Sequence, residues 1–262
     1  MVLGISMQED SRAEALERNA KEKGWQTIRF ASGIERTMEH MLRFPVTCLV
    51  LQADMPHAAE WILALRRLPI AKPPHIYLMA DRPKDVPIHA FSGVISYLFD
   101  VRMDDRRIID CIDTLEAETV DPLCGMWRLD VLDRMITELL LFSGVSPHLK
   151  GFRMLRYAIL FLVLSDVSTE ISMMGGLYPA VSEMTDSNVS VVEHAMRHAI
   201  DTAWMRADLS ALEELFGYTV LPSKGTPSNS AYLYAMADRV RIRYQKELGR
   251  CITKSKLGRG EL

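Results

Sequence analysis

Residues 46–51, Val-Thr-Cys-Leu-Val-Leu, form a nearly continuous apolar run. A strand can be that apolar only if both of its faces are covered, as in a parallel sheet with helices on either side. The surrounding sequence supplies the rest of such a sheet. Strands are expected at Val2–Ser6, Thr27–Phe30, Val46–Leu51, Ile76–Met79 and Val94–Leu98. Helices are expected at Ser11–Lys23, with Ala13, Leu16 and Ala20 on one face, and at Ile34–Phe44, His57–Leu68, Lys84–Phe91 and Asp104–Glu118. Strand and helix alternate five times in about 120 residues, which predicts an α/β domain with a doubly wound, five-stranded parallel sheet.

Beyond residue 127 the pattern changes to helices alone. Leu129, Leu132, Ile136, Leu139 and Leu140 line one face of a first helix, and Ser143-Gly144 ends it. Gly151–Val167 carries its charges near its two ends and should be a central, buried helix. Leu233, Met236, Ala237, Val240 and Tyr244 form the buried stripe of a last helix beginning near Asn229. The expected organisation is an α/β domain at 1–118, a linker at 119–127 with Pro122 and Gly125 as breakers, an all-helical domain at 128–250 and a basic tail at 251–262.

The stretch Leu177–Met205 reads as two helices joined by a tight turn. The second should open near Asn188 or Ser190, where Ser190 and Glu193 have capping-box spacing. Val192, Ala195, Met196, Ala199, Ile200, Ala203 and Trp204 recur at helical spacing as its buried face. Its other face presents Ser190, Glu193, His194, Arg197, His198 and Asp201, all able to bond a base edge or a phosphate. A polar-faced helix behind a short first helix is the arrangement by which a helix-turn-helix enters the major groove. The same pattern also suits an ordinary solvated helix.

Charge and cysteine content bound the alternatives. The net charge of −3 excludes a basic nucleic-acid coat, although Arg239–Arg259 holds eight bases against the single acid Glu247. That end suits either phosphate attraction or a solvated, salt-bridged helix. Cys48, Cys111, Cys124 and Cys251 form no CxxC pair, so no zinc or redox site is expected, and Cys48 and Cys111 suit core thiols. His194 and His198 have metal-ligand spacing, but Ala195 replaces the glutamate of HExxH and no third ligand is evident. No P-loop, nucleophile elbow or dinucleotide loop occurs, so neither an enzyme nor a cofactor is expected. No leader-like or membrane-spanning segment is read, and a cytoplasmic location is expected.

Five segments carry a family resemblance: Gly144–Phe152 (GVSPHLKGF), Leu177–Pro179 (LYP), Val192–Trp204 (VEHAMRHAIDTAW), Leu215–Val220 (LFGYTV) and Lys224–Ser230 (KGTPSNS). From about Leu132 to Arg243, a little under half of the chain, the sequence resembles the effector domain of the stage-zero sporulation protein A family. The resemblance implies an all-helical DNA-binding domain in a cytoplasmic transcription factor of a spore-forming bacterium. By position it carries over Glu193, Arg197 and His198 as base-reading residues, and Lys224, Asn229 and Ser230 as residues near the DNA backbone. Asn229 and Ser230 also suit helix capping. The chain departs from the family at Val191 and His194, where arginines stand, and at Glu183-Met184, where lysines stand. These changes imply an altered or relaxed operator preference, with Val191 able to touch a thymine methyl.

With Met55-Pro56 after its third strand, the first domain resembles a response-regulator receiver. Its phosphorylation pocket, however, is degenerate. Met7 and Gln8 replace the metal-holding acids, Gln52 the phosphoacceptor, Met79 the hydroxyl residue and Asp100 the lysine. Gln52 cannot accept a phosphoryl group as an aspartate does, and methionine is a poor ligand for Mg²⁺. Displaced acids at Glu9, Asp10 and Asp54 keep the strand face but leave the other positions unfilled.

The combined expectation is a pseudo-receiver joined to a helix-turn-helix. Such a protein would be a dimeric transcriptional regulator that binds a promoter operator without aspartyl phosphorylation, with 188–205 as its recognition helix. The alternative is an interaction module that pairs with the true sporulation regulator or with RNA polymerase and its sigma factor, and binds DNA weakly alone.

Overall fold

Apolar runs at 2–6, 48–52, 75–80 and 96–100 line up side by side in one sheet. The computed structural model describes residues 1–30, 41, 44, 46–55, 58–65, 74–81, 96–117, 127–165, 171–206, 208–217 and 225–258. Most of the expected helix at 34–44, the expected helix at 84–91, most of the linker, and Lys224 lie outside them.

The first unit comprises Met1–Asp130 and Glu247–Leu262, and up to Asp130 its elements are β1 (Val2–Ser6), α1 (Asp10–Glu22), β2 (Gln26–Arg29), β3 (Cys48–Gln52), α2 (Ala58–Leu65), β4 (His75–Ala80), β5 (Ser96–Asp100), α3 (Asp105–Glu116) and β6 (Trp127–Arg128). The sheet order is β2-β1-β3-β4-β5-β6. Its first five strands are parallel, in the doubly wound order expected. The sixth is a departure: Trp127 and Arg128 pair antiparallel with Leu98 and Tyr97. Trp127, expected to close the linker, is thus part of a mixed sheet. Two residues are too few to show a period, and the pairing depends on β5 presenting an edge.

Leu3, Ile5, Cys48, Val50, Tyr77, Met79 and Phe99 point to one face, where Ala13, Leu16 and Ala20 of α1 and Ile108, Ile109 and Ile112 of α3 cover them. Both Cys48 and Cys111 are buried. Arg12 ties α1 to the β5–α3 loop. Its guanidinium donates to Asp105 at 2.8 Å, to the Met103 carbonyl at 2.7 Å and to the Val101 carbonyl. Arg12→Ala strands two carbonyls and a carboxylate, and should cost the unit about 2–3 kcal/mol in urea unfolding. Arg12→Lys should recover only part of this, because an ammonium has no fork to span three acceptors.

The unit Val131–Lys246 is helical. Its elements are α4 (Leu129–Phe142, begun at the end of the first unit), α5 (Lys150–Leu164), a π turn (Met173–Leu177), α6 (Tyr178–Thr185), α7 (Val189–Arg206), α8 (Leu209–Phe216) and α9 (Asn229–Gly258, counted with the first unit from Glu247 on). As its composition predicts, α5 is the central helix, with ten of its fifteen residues buried. The stripe Leu233, Met236, Ala237, Val240 and Tyr244 of α9 is buried throughout. That helix runs on to Gly258, so the segment read as a tail from 251 is helical over most of its length. Tyr232 and Ser143 join α9 to the end of α4 through a buried hydroxyl pair at 2.7 Å.

Candidate nucleic-acid interface

The turn between α6 and α7 is set by a backbone that most residues avoid. Asp186 caps α6 in the left-handed region at φ 47°, ψ 52°. The Ser187 N–H donates to the Ser182 carbonyl at 3.1 Å, closing the turn, and the Ser182 hydroxyl donates to the Ser187 carbonyl. Asp tolerates this region better than most residues and Gly better still. Asp186→Gly should therefore leave the melting temperature unchanged or slightly raised, whereas Asp186→Val should lower it.

Of the two expected openings for α7, the structure has Asn188. The Asn188 carbonyl accepts the Val192 N–H at 3.0 Å, the bond that defines an N-cap. Ser190 is then the second helical residue and exposed, so it does not form the expected capping box with Glu193. The αL turn at Asp186 starts the helix too early for it. Val192, Met196, Ala199, Ile200 and Ala203 are buried as predicted. Ala195 and Trp204 are only half-buried, and Trp204 meets Phe216 edge-on with centroids 5.5 Å apart.

On the polar face, Ser190, His194 and His198 are exposed, while Val191, Glu193, Arg197 and Asp201 are half-buried. Arg197 donates to Asp201 through Nε at 2.9 Å and through a terminal nitrogen, and its other terminal nitrogen donates to the Pro227 carbonyl at 2.6 Å. The guanidinium beside it holds the Asp201 carboxyl below the usual carboxylate range. The spacing of four residues allows that pair, but both side chains were expected to face DNA, and the bidentate bond is a finding of the structure. So is the bond to Pro227.

Asn229 and Ser230 require a correction. The N-cap of α9 is Ser228, whose hydroxyl accepts the Ala231 N–H at 3.1 Å and whose carbonyl accepts the Tyr232 N–H at 3.0 Å. Asn229 is buried, 7% exposed, and its amide turns inward. It donates to the Tyr178 hydroxyl at 3.1 Å and to the Glu193 carbonyl at 3.2 Å, joining α6, α7 and α9. The amide is thus taken up in holding α7 against α6 and α9. Ser230 is half-buried one residue further into the helix.

Gly151 is a residue whose role the sequence did not disclose. A Cβ there would stand 2.1 Å from the Ala195 carbonyl oxygen and 2.7 Å from the Ala199 Cβ, so α5 lies directly against the back of α7. Three bases of α9 are also committed within the unit. Arg239 donates to the Leu215 carbonyl at 2.9 Å, Arg241 to the Leu162 carbonyl and Asp238, and Arg243 to Glu138 at 2.6 Å. For Arg241 and Arg243 the salt-bridged reading of the basic end holds, whereas Arg239 is held by a backbone carbonyl.

In the first unit the degenerate pocket positions fall at strand ends. Met7 and Gln8 follow β1, Gln52 ends β3, Met79 is next to last in β4 and Asp100 ends β5. Gln52 Oε1 accepts the backbone N–H of Gln8 at 3.0 Å, bringing those two together. Met79 is buried in the core and Met7 packs against it. Asp100 accepts from Arg102 through Nε at 3.0 Å, a terminal nitrogen at 2.7 Å and the backbone N–H at 2.8 Å, which lowers its pKa. Glu9, Asp10 and Asp54 are exposed; Glu9 accepts from Ser11 and Asp10 from Arg29. Among the described residues no three His, Cys, Asp or Glu side chains are grouped to hold a metal ion. Nor is any described helix long and apolar enough to cross a membrane.

Residues 136–240 match the family described as sporulation initiation factor Spo0A C terminal. That span contains α5–α8, the whole helix-turn-helix and the first part of α9. Among solved structures, full-length FixJ from B. japonicum is similar at 14% identity and a TM-score of 0.37, covering 84% of this chain and 98% of FixJ. RcsB from Salmonella enterica serovar Typhimurium, bound to promoter rprA in the presence of phosphomimetic BeF3-, is similar at 10% identity and a TM-score of 0.40, covering 81% and 97%. Likenesses at that level are too slight to assign a function.

Proposed function

From a Spo0A C-terminal family domain at residues 136–240, we propose that this chain is a DNA-binding transcriptional regulator whose recognition helix is α7. One observation carries the reading: α7 presents exposed Ser190, His194 and His198 beside half-buried Val191 and Glu193, behind α6 and a tight left-handed turn, within the matched domain. A helix so presented fits the width of a major groove, and its polar atoms match base edges. Lys224, within the matched span, is proposed as a phosphate contact.

The regulator acts without aspartyl phosphorylation. Gln52, at the acceptor position, is bonded to the Gln8 backbone, and the cation position holds Asp100 paired with Arg102. Neither group takes up a phosphoryl group or neutralises one. The pseudo-receiver acts by association instead, holding two copies so that two recognition helices meet neighbouring half-sites. Acetyl phosphate with Mg²⁺ should add no phosphoryl mass to the intact protein and leave DNA affinity unchanged. A phosphorylated species, or affinity that rises with the donor, would end this part of the proposal.

The test of the reading is fluorescence anisotropy of the full chain on a family-type operator and on scrambled duplex, at two salt concentrations. Preference for the operator supports a constitutive regulator. Equal, salt-sensitive binding to both supports DNA binding with a changed operator. Absence of binding to either at low salt favours the second reading, a module that pairs with another regulator or with the polymerase. The vacated arginine positions at Val191 and His194 and the exposed Glu183 favour that second reading.

A further inference from the structure

We infer that Arg197 is a positioning residue, not a reader of DNA: Asp201 anchors it as a strut between α7 and the approach to α9, leaving base selection to Ser190, Glu193, His194 and His198. The inference rests on α7 being the recognition helix.

Each of the three guanidinium nitrogens of Arg197 has an acceptor within the domain. Two meet the Asp201 carboxylate as a fork, and the third meets the Pro227 carbonyl at 2.6 Å. The Thr226 hydroxyl, near the Asp201 carboxylate, helps to hold its pKa down. Two residues one turn apart on α7 are therefore tied to residue 227, immediately before the Ser228 cap of α9. Asn229 continues the same seam with its bonds to Tyr178 and the Glu193 carbonyl. The angle at which α7 leaves the body of the domain is set along this seam. To read a guanine, Arg197 would have to give up a bidentate, charge-assisted pair and leave Asp201 facing phosphates. The exposed Ser190, His194 and His198 need no such exchange.

The two roles predict opposite signs for Asp201→Ala. If Arg197 reads DNA, removing the carboxylate frees the guanidinium and removes a negative charge, so binding tightens. If Arg197 is a strut, binding of the full chain weakens by roughly fivefold on operator and scrambled duplex alike, as it does for Arg197→Ala, and the double variant is no weaker than either single one. The slope of log affinity against log salt separates them again. Loss of a phosphate contact lowers it by about 1, whereas loss of a strut leaves it unchanged. Where Asp201→Ala fails to fold, Arg197→Lys serves. It keeps the charge and loses the fork, so a strut predicts weakening and a phosphate contact predicts retention. Tightening in Asp201→Ala, or loss of preference at one base pair only in Arg197→Ala, overturns the inference. If the wild-type chain binds no duplex at all, the DNA reading fails on its own account. The strut is then judged by amide exchange in α7: faster exchange in Asp201→Ala supports it, and unchanged exchange overturns it.

Discussion

Gly151→Ala should destabilise the helical unit by about 1–3 kcal/mol and weaken DNA binding by roughly tenfold or more. Helix propensity predicts the opposite, since replacing a helical glycine with alanine normally stabilises by about 0.5–1 kcal/mol. The contact decides the sign. The new Cβ would lie 2.1 Å from the Ala195 carbonyl oxygen and 2.8 Å from the Ala195 carbonyl carbon, and backbone atoms cannot rotate away as a side chain can. α5 and α7 must separate, and α7 carries Glu193, His194, Arg197 and His198 with it. Urea unfolding and operator anisotropy on the same variant check both effects. A Gly151→Ala protein that is more stable and binds as well as wild type would mean that the two helices do not cross this closely.

The second large effect is a loss of stability in alkali. Burial, and then the Glu116 carboxylate that accepts its hydroxyl at 2.7 Å, push the Tyr77 phenol far above its usual range. Burial does the same for Tyr232, whose hydroxyl is bonded to that of Ser143 at 2.7 Å, and raises the Cys48 thiol to about 12. In each case the folded state keeps a proton that the unfolded chain releases, so the unfolded state binds fewer protons and stability falls as pH rises. The fall begins near pH 9 with Cys48, steepens above about pH 10 with the tyrosines, and continues towards the folded-state values. Tyr77 is in the first unit and Tyr232 in the second, so both units should show it. Denaturant midpoints compared at neutral and alkaline pH would reveal the decline, and Tyr232→Phe should flatten it for the helical unit. Equal midpoints across that range would show that these phenols ionise freely in the folded protein.

Both effects arise where the sequence was least informative. Gly151 lies inside a segment that resembles the family, yet nothing in its spacing distinguishes a glycine tolerated in a first turn from one required by a crossing helix. Tyr77 and Cys48 read as strand residues, and the placement of Glu116 beneath them depends on where α3 ends. The same holds across the recognition region. The buried face of α7 was legible because helical periodicity is a local property of the chain. The bond between Arg197 and Asp201 was not read, although their i,i+4 spacing permits it, because both were assigned to the DNA-facing side. Pro227 as a third partner, Asn229 turned inward instead of towards DNA, and Ser228 as the cap were not, because each depends on how α9 approaches α6 and α7. The Ser190 capping box had the correct spacing but lost to Asn188, since the turn at Asp186 decided where the helix began.

Local pattern alone determined that this chain holds a parallel α/β sheet followed by helices, and which residues form most of the core. Those properties follow from side-chain period and residue chemistry, which need no partner. Tertiary structure alone decided the sixth strand, the close crossing at Gly151, and which polar residues of α7 remain exposed. A two-residue strand exists only where an edge is offered, and a glycine is indispensable only where another backbone arrives. An arginine becomes a strut only where a carbonyl thirty residues away in sequence, that of Pro227, is brought within 2.6 Å of it.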